Sequence, residues 1–437
     1  MINRHILRKG RGTTKKMKQK MVAAVDIGSS KICSLLANVD AEGSIQIVGI
    51  GVTPSAGIHK GLVADIDQAS ESIRQSVRRA EQTSGEGITS VYLGISASNI
   101  SSQGNRASVS VGRNARTVRQ GDVERALKVA REINIPEERR LLHVIPTQYT
   151  LDTQIGVQDP KGMHAFRMDL DTHIVTIPQS SAENITKCAH KAGLTIEGLV
   201  LQCLASAQAV LHPDETDAGV VLADIGAGTT GISAYKNGNL LLTAVLPVGG
   251  NQITRDLSVG LGIPVEMAEQ LKKEHCNLAE KDDPDAKEEP AIQVNFDGVG
   301  KIYKKDISDI VKARVEEIIK LIISQLVQRV QSQSYLAYVS EFPAGLVLTG
   351  GTANLGGIRT LAQDITGLPT RVGIPPAMSG LADQLHNAAY ASSVGILLCG
   401  GKNWRQEQSW IRSEAGLRDK FFARVKSVRQ LVPWGRT

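Results

Sequence analysis

The chain has 437 residues, 41% of them apolar and only 3% aromatic, with a formal net charge of +6. That length predicts two or more domains, and the apolar share excludes a chain disordered throughout. The charge is uneven: the first twenty residues carry eight Lys or Arg and no acid, and residues 405–437 carry eight basic and three acidic side chains. The body between them is slightly acidic, which excludes a nucleic-acid footprint spread over the whole protein. Cys33, Cys188, Cys203, Cys276 and Cys399 are scattered, odd in number and without a CxxC pair. They point to free thiols in a reducing compartment, not to zinc or a disulfide framework. The nine histidines make no HxxxH or HExxH pattern, and no run of eighteen apolar residues offers a bilayer span. The basic start lacks the apolar stretch of a secretory signal, and Met17 and Met21 leave a downstream start open.

After the basic residues 1–20, Val22 to Lys31 reads VAAVDIGSSK: an apolar strand, Asp26, Gly28, two hydroxyls, then a returning strand over Ile32 to Ala37. Ser44 to Val52 continues the sheet. Residues 65–84 read as a helix, because Ile66, Ala69, Ile73, Val77 and Ala80 fall on one face while Arg78 and Arg79 point away. Val91 to Ile95 is a buried strand. Residues 99–178 read as an inserted α+β module, with strands at Ala107–Val111, His143–Thr150 and His173–Ile177 and a helix from Asp122 to Ile133. A helix follows over Ser180–Ala192, with Ser180 or Ser181 as N-cap and Gly193 as its stop. Thr195–Leu199 is a short strand, and Leu204–Leu211 is an Ala-rich helix.

Val220 to Gly231, VVLADIGAGTTG, then repeats the first pattern 198 residues on. Gly226 and Gly228 allow a tight turn, Thr229 and Thr230 add hydroxyls, and the turn exposes backbone N–H groups that suit phosphate oxygens. Asp224, like Asp26, stands at a strand end where a hydrated cation fits. Either turn alone is equally an ordinary hairpin; two copies suggest two similar halves closing on one nucleotide. Asn239–Leu246 is a strand. Gly249, Gly250 and Asn251 open a helix over Gln252–Leu261, either as a simple N-cap or with their N–H groups facing a phosphate. Pro264–His275 carries Glu269, Lys272 and Lys273, which either line a ribose and base or form a solvated face. Glu280–Pro290 is a charged loop. Lys301, Lys304 and Lys305 cluster before a long amphipathic helix, Ile307–Gln333. Leu346–Leu348 is a buried strand ending in Thr349-Gly350-Gly351-Thr352, where the glycines let the chain pass beneath a planar base. A helix follows over Ile358–Ile365, then the small-residue helix 388–399, suited to close crossing. After a linker, Leu417, Phe421, Val425, Val428 and Val432 fall on one face, with Phe422 beside them and Trp434 at the end. Arg418, Lys420, Arg424, Lys426 and Arg429 flank them. That pattern suits insertion into an anionic membrane surface, or docking as a terminal helix.

The order VAAVDIGSSK, LASAQAVL, VVLADIGAGTTG, LVLTGGTANLGG, YASSVGILL resembles the actin–Hsp70–sugar kinase superfamily over residues 21–400. Within it, the module in the first half, the GLVLTGGTANLGGI stretch and the basic amphipathic tail resemble the FtsA family of bacterial division proteins. The resemblance implies an α/β, two-lobed actin-like fold with an inserted small α+β subdomain. Residues 21–98 and 179–217 would form subdomain 1A, 99–178 the inserted subdomain 1C, 218–247 and 306–378 subdomain 2A, and 248–305 subdomain 2B. Residues 379–400 would be a return helix to 1A, 401–416 a linker and 417–434 a membrane-binding amphipathic helix. The basic extension 1–20 departs from the usual family start.

The resemblance further implies ATP with Mg²⁺ between the lobes. Gly28, Ser29, Ser30 and Lys31 would hold phosphates from one side. Gly226, Ala227, Gly228, Thr229 and Thr230, with Gly249, Gly250 and Asn251, would hold them from the other. Asp26 and Asp224 would meet the metal through water, and Glu269, Lys272, Gly350, Gly351 and Thr352 would border the adenosine. Any chemistry would be phosphoryl transfer to water; Gln202 and Cys203 stand before LASAQAVL, where no acidic catalytic residue is evident. Family members polymerise at the division site, tether the tubulin-like FtsZ to the membrane by its C-terminal tail, and recruit later division proteins. Lys301, Lys304 and Lys305 are the expected contacts for that acidic tail, and anionic lipids the expected contact for the basic amphipathic end. A small-molecule kinase, or a pilus or shape assembly ATPase, on the same fold is the alternative; fold alone does not choose among them.

Overall fold

The computed structural model describes residues 20–40, 44–279, 291–296, 299–330, 339–381 and 383–401. The chain opens with β1 (Lys20–Ile27), β2 (Lys31–Val39) and β3 (Ile45–Pro54), an antiparallel meander. Val22 to Ile27 is buried throughout, as an apolar run covered on both faces must be. A short hairpin of β4 (Ile58–His59) and β5 (Leu62–Val63) leads into α1 (Ile66–Ser84). The Asp65 carboxylate accepts the N–H groups of Asp67 and Gln68 at its start, and left-handed Gly85 ends it. Ala69, Ile73, Val77 and Ala80 are buried, and Arg78 and Arg79 face solvent, as their spacing predicts. β6 (Ser90–Ile95) then pairs parallel to β1.

The inserted module comprises β7 (Ser101–Ser110), β8 (Arg116–Thr117), α2 (Gln120–Arg131), β9 (Arg139–Leu151), β10 (Gln154–Val157), β11 (His164–Ala165) and β12 (Arg167–Pro178). Its four-stranded sheet runs β10-β9-β12-β7 and shares a core with α2 that includes Val109, Ala126, Met168 and Ile174. The helix starts two residues before Asp122, which instead sits inside its first turn. There the carboxylate accepts the Arg119 N–H at 2.9 Å and pairs with Arg116 and Arg125. The Arg116 guanidinium foremost holds that carboxyl well below the usual range.

β12 runs directly into α3 (Gln179–Lys191), whose N-cap is Pro178 with no side-chain cap. The sequence places the cap at Ser180 or Ser181; neither caps the helix, because it begins upstream of both. Gly193, at φ +91°, follows its end. β13 (Thr195–Leu201) joins β6 in parallel, and α4 (Gln202–Val210) and α5 (Pro213–Ala218) complete the passage to the second half.

That half contains β14 (Val220–Ile225), β15 (Thr230–Lys236), β16 (Asn239–Leu246), α6 (Gly250–Leu261) and α7 (Val265–His275). β17 (Ala291–Phe296), β18 (Val299–Tyr303), α8 (Lys304–Val330), β19 (Gly345–Thr349), α9 (Ile358–Thr366) and β20 (Thr370–Val372) follow. β21 (Ser379–Gly380) returns to the edge of β3, and α10 (Ala391–Gly401) ends the described chain. The first sheet runs β13-β6-β1-β2-β3-β21 and the second β20-β19-β14-β15-β16. Each places its Asp-Ile-Gly hairpin between a parallel neighbour on one side and a meander strand on the other. The same five-strand order appears twice, as the paired motifs suggest. α4 and α10 cross closely where the halves meet: a Cβ on Gly395 would lie 1.9 Å from the Ala205 carbonyl oxygen.

Candidate functional site

The two turns close identically. The Gly28 N–H donates to Lys31 O at 3.1 Å, and the Gly226 N–H donates to Thr229 O at 2.9 Å. A Cβ would fall 2.8 Å from the same Lys31 oxygen in the first turn and 3.1 Å from the Thr229 oxygen in the second, so glycine keeps both loops tight. Their tips meet across the cleft: a Cβ on Gly228 would lie 2.6 Å from Ser29 Oγ, and the Ser96 and Thr229 hydroxyls stand 3.0 Å apart. Among the described residues, the backbone N–H groups of Ser29, Ser30, Ala227 and Gly228 meet no protein acceptor. Four open donors at two facing tips form a cradle for an anion.

Behind them lies a cavity of about 590 Å³ lined by both halves. Asp26 is 6% exposed. Its Oδ1 accepts the Gln202 amide at 2.5 Å, and its Oδ2 accepts the hydroxyls of Ser392 and Ser393 at 2.6 and 2.7 Å. Among the described residues, Asp224 accepts only the Ser206 hydroxyl, at 2.5 Å. Burial pushes the Asp224 carboxyl up to about 6, with Asp26 adding to the effect. Burial lowers the Lys31 ammonium from its usual value, against the pull of Cys33, Asp26 and Asp224. Its Nζ rests 3.4 Å from the centroid of the Tyr390 ring. A buried carboxylate pair beside one cation and four open N–H groups fits a phosphate chain with a hydrated divalent cation. No cluster of three His, Cys, Asp or Glu that could hold a metal occurs among the described residues.

At the other end, Lys272 is 7% exposed, not solvated. Its Nζ donates to Gly250 O at 3.2 Å and to Thr254 Oγ1 at 2.8 Å, and it pairs with Glu269. Lys273 also pairs with Glu269, at 3.0 Å, and is exposed. Burial raises the Glu269 carboxyl, but hydrogen bonds from Lys272 and Thr254 outweigh it and the net shift is downward. Gly350, at φ +85°, lies against Asp224: a Cβ there would come 2.5 Å from Oδ1. Thr352 Oγ1 donates to Gly226 O at 3.1 Å.

The cavity wall gathers nearly the whole expected set: Asp26, Gly28 to Lys31, Asp224, Gly226 to Thr229, Gly250, Asn251, Glu269, Lys272 and Gly350 to Thr352. Two expectations are corrected. Thr230 turns inward, its hydroxyl donating to Val248 O at 2.8 Å. The N–H groups at the start of α6 do not face a phosphate: Gly249 donates to Gln252 Oε1, Gly250 to Gly226 O and Asn251 to Ala227 O. That helix end is stapled to the second turn instead. The sequence reading left Gln202 without a role and missed Ser96, Asn354, Asn387, Tyr390 and Ser392, all of which line the wall.

Lys301, Lys304 and Lys305 are not in the wall. Lys301 lies in β18 with its Nζ 5.4 Å from the Tyr303 ring centroid, while Lys304 and Lys305 already belong to the first turn of α8. The extension 1–19, the loop 280–290 and the proposed membrane residues Leu417, Lys420, Phe421, Phe422, Arg424, Val425, Val428, Val432 and Trp434 lie outside the described residues. Among those described, no helix is long and apolar enough to cross a membrane.

Residues 221–395 match the model of the cell division protein FtsA, and residues 97–176 match the SHS2 domain inserted in FtsA. The cell division protein FtsA of Pseudomonas aeruginosa is 36% identical over 382 residues, covering 87% of this chain and 89% of that protein. The chain belongs to the FtsA family of cell division proteins. Its fold is actin-like, two-lobed, with the inserted subdomain in the first half. Solved structures agree on the fold. The PilM-PilN type IV pilus biogenesis complex gives a TM-score of 0.61 at 17% identity, covering 87% of this chain and 98% of that one. MreB5 of Spiroplasma citri bound to ADP gives 0.52 at 12%, covering 89% and 98%. The family places the chain in cell division as an actin-like protein.

Proposed function

We propose that the chain is a membrane-associated, ATP-binding scaffold that polymerises at the division site, anchors the FtsZ ring to the cytoplasmic membrane and helps recruit later division proteins. The observation that carries the ATP reading is the pair of facing turns, whose four open N–H groups meet over Asp26, Lys31 and Asp224. Gly28 to Lys31 and Gly226 to Thr229 would hold the phosphates of ATP. Asp26 and Asp224 would hold Mg²⁺ through water, and bound Mg²⁺ would neutralise phosphate charge. Glu269, Lys272 and Gly350 to Thr352 would border the nucleoside. Gln202, fixed by Asp26 and Ile27 O, stands at the wall as the candidate for orienting a water. FtsZ would dock by its acidic tail on residues 248–305, where Lys301 and Lys305 are exposed. Residues 417–434 would insert their Phe, Val and Trp side chains among anionic lipids at the cytoplasmic face of the membrane, at the septum.

The test is co-sedimentation with anionic liposomes, comparing the full chain with one ending at Lys402, each with and without ATP. The full chain is expected to pellet and the shorter one to stay soluble. Phe421→Glu with Val425→Glu in the full chain should abolish pelleting, because two charges enter the apolar face. Pelleting of the shortened chain would move the anchor elsewhere and remove the tail reading.

A further inference from the structure

The segment Tyr390-Ala391-Ser392-Ser393 reads in sequence as small-residue packing. In the fold, three of its four side chains sit on the charged groups of the first turn. Ser392 and Ser393 donate to Asp26 Oδ2 at 2.6 and 2.7 Å, and the Tyr390 ring lies beneath Lys31 Nζ at 3.4 Å. Lys31 is a half-buried ammonium within electrostatic reach of Asp26 and Asp224. Yet among the described residues no carboxylate oxygen lies within 4.0 Å of its nitrogen. A half-buried ammonium near two carboxylates gains most by closing onto one of them. The ring face gives it another seat, attractive to the charge and without a hydrogen-bond acceptor that would consume its donors. On the other side, two hydroxyls and the Gln202 amide already donate to the Asp26 oxygens.

We propose that Tyr390, together with Ser392 and Ser393, is a positioning element that keeps Lys31 and Asp26 from pairing. The ammonium then remains available to phosphate oxygens and the carboxylate to a hydrated cation. The proposal rests on the ATP reading above. It also makes the start of α10 a working part of the cleft, not packing alone.

Calorimetry on the full chain with Mg²⁺, using ATP and adenosine as separate probes, tests it. Tyr390→Leu should weaken ATP about tenfold and leave adenosine unchanged, because only the phosphate contact of Lys31 is lost. Tyr390→Phe keeps the ring and should stay within about twofold of wild type. In a Lys31→Gln background, Tyr390→Leu should cost nothing further. Equal losses for ATP and adenosine would make Tyr390 a wall for the nucleoside and overturn the proposal, as would the same loss with and without Lys31. A wild-type chain that ignores ATP would overturn the ATP reading beneath it, an outcome distinct from either.

Discussion

The two Asp-Ile-Gly turns share a backbone and divide the chemistry. Each closes by a Gly N–H onto the carbonyl three residues later, and each is flanked by the same strand order. The first then presents Ser29, Ser30 and Lys31, with an aspartate gripped by three donors. The second presents Ala227 and Gly228, little more than backbone, with an aspartate gripped by one. The reason is steric. Ser29 Oγ occupies the space that a side chain at 228 would need, so position 228 is held to glycine while Ser29 keeps its hydroxyl. The two halves share a frame, and their close approach limits what the second tip can carry.

Gly228→Val presses hardest on that asymmetry. Its Cβ would stand 2.6 Å from Ser29 Oγ and 3.1 Å from the Cα of Lys60, so the turns must separate. ATP affinity, measured by calorimetry, should fall by at least about a hundredfold, as expected when facing donors lose alignment. Ser29→Gly in the same chain should restore part of it by making room. In the first turn, Gly28→Ala meets its own Lys31 carbonyl, so no change in the other half should rescue it. Rescue of Gly28→Ala by Ser29→Gly, or no rescue of Gly228→Val, would end the steric account.

The aspartates should part next, this time in stability. Asp26→Ala strands the Gln202 amide and two hydroxyls, that of Ser393 fully buried, and should cost about 3 kcal/mol by chemical denaturation. Asp224→Asn keeps an acceptor for Ser206 and removes a charge that burial disfavours. It should leave the unliganded protein within about 1 kcal/mol of wild type, or above it. Both changes should weaken Mg·ATP. Comparable stability losses for the two would mean the grips do not differ in strength.

Much of this was legible in the sequence because it is written in short-range pattern. Apolar runs of strand length broken by Asp-Ile-Gly mark both hairpins. What stayed hidden depends on contacts between distant segments. Lys272 stands on a helix whose neighbours Lys273 and Glu274 face solvent, and nothing nearby in sequence announces that Gly250 O and Thr254 will draw its ammonium inward. The Gly249–Asn251 stretch has the composition of a phosphate-binding helix start, but carbonyls 24 residues earlier consume the Gly250 and Asn251 N–H groups. The serines of YASS reach an aspartate more than 360 residues away. Small residues signal close crossing well; which of them also donates a hydrogen bond is decided only once the halves are together.

The finest separation between the two turns is in their response to pH. Burial raises the Asp224 carboxyl to about 6, against an ordinary value of 3.8, so the folded state holds that proton where the unfolded state has lost it. A carboxyl raised on folding destabilises when ionised, so its penalty is fully present above about pH 7 and fades as pH falls through 6. Between pH 7 and 5.5 the unliganded chain should gain about 1 kcal/mol from this group, seen as a rise in melting temperature absent from Asp224→Asn. Mg·ATP should reverse the sign, because a cation beside Asp224 favours the charged form. Its affinity should therefore weaken as pH drops below about 6, with proton release on binding measurable by calorimetry in buffers of different ionisation enthalpy. An Asp224→Asn chain with the same pH slope as wild type would assign the titration to another group, and would leave the second turn with no electrostatic character of its own beyond its backbone.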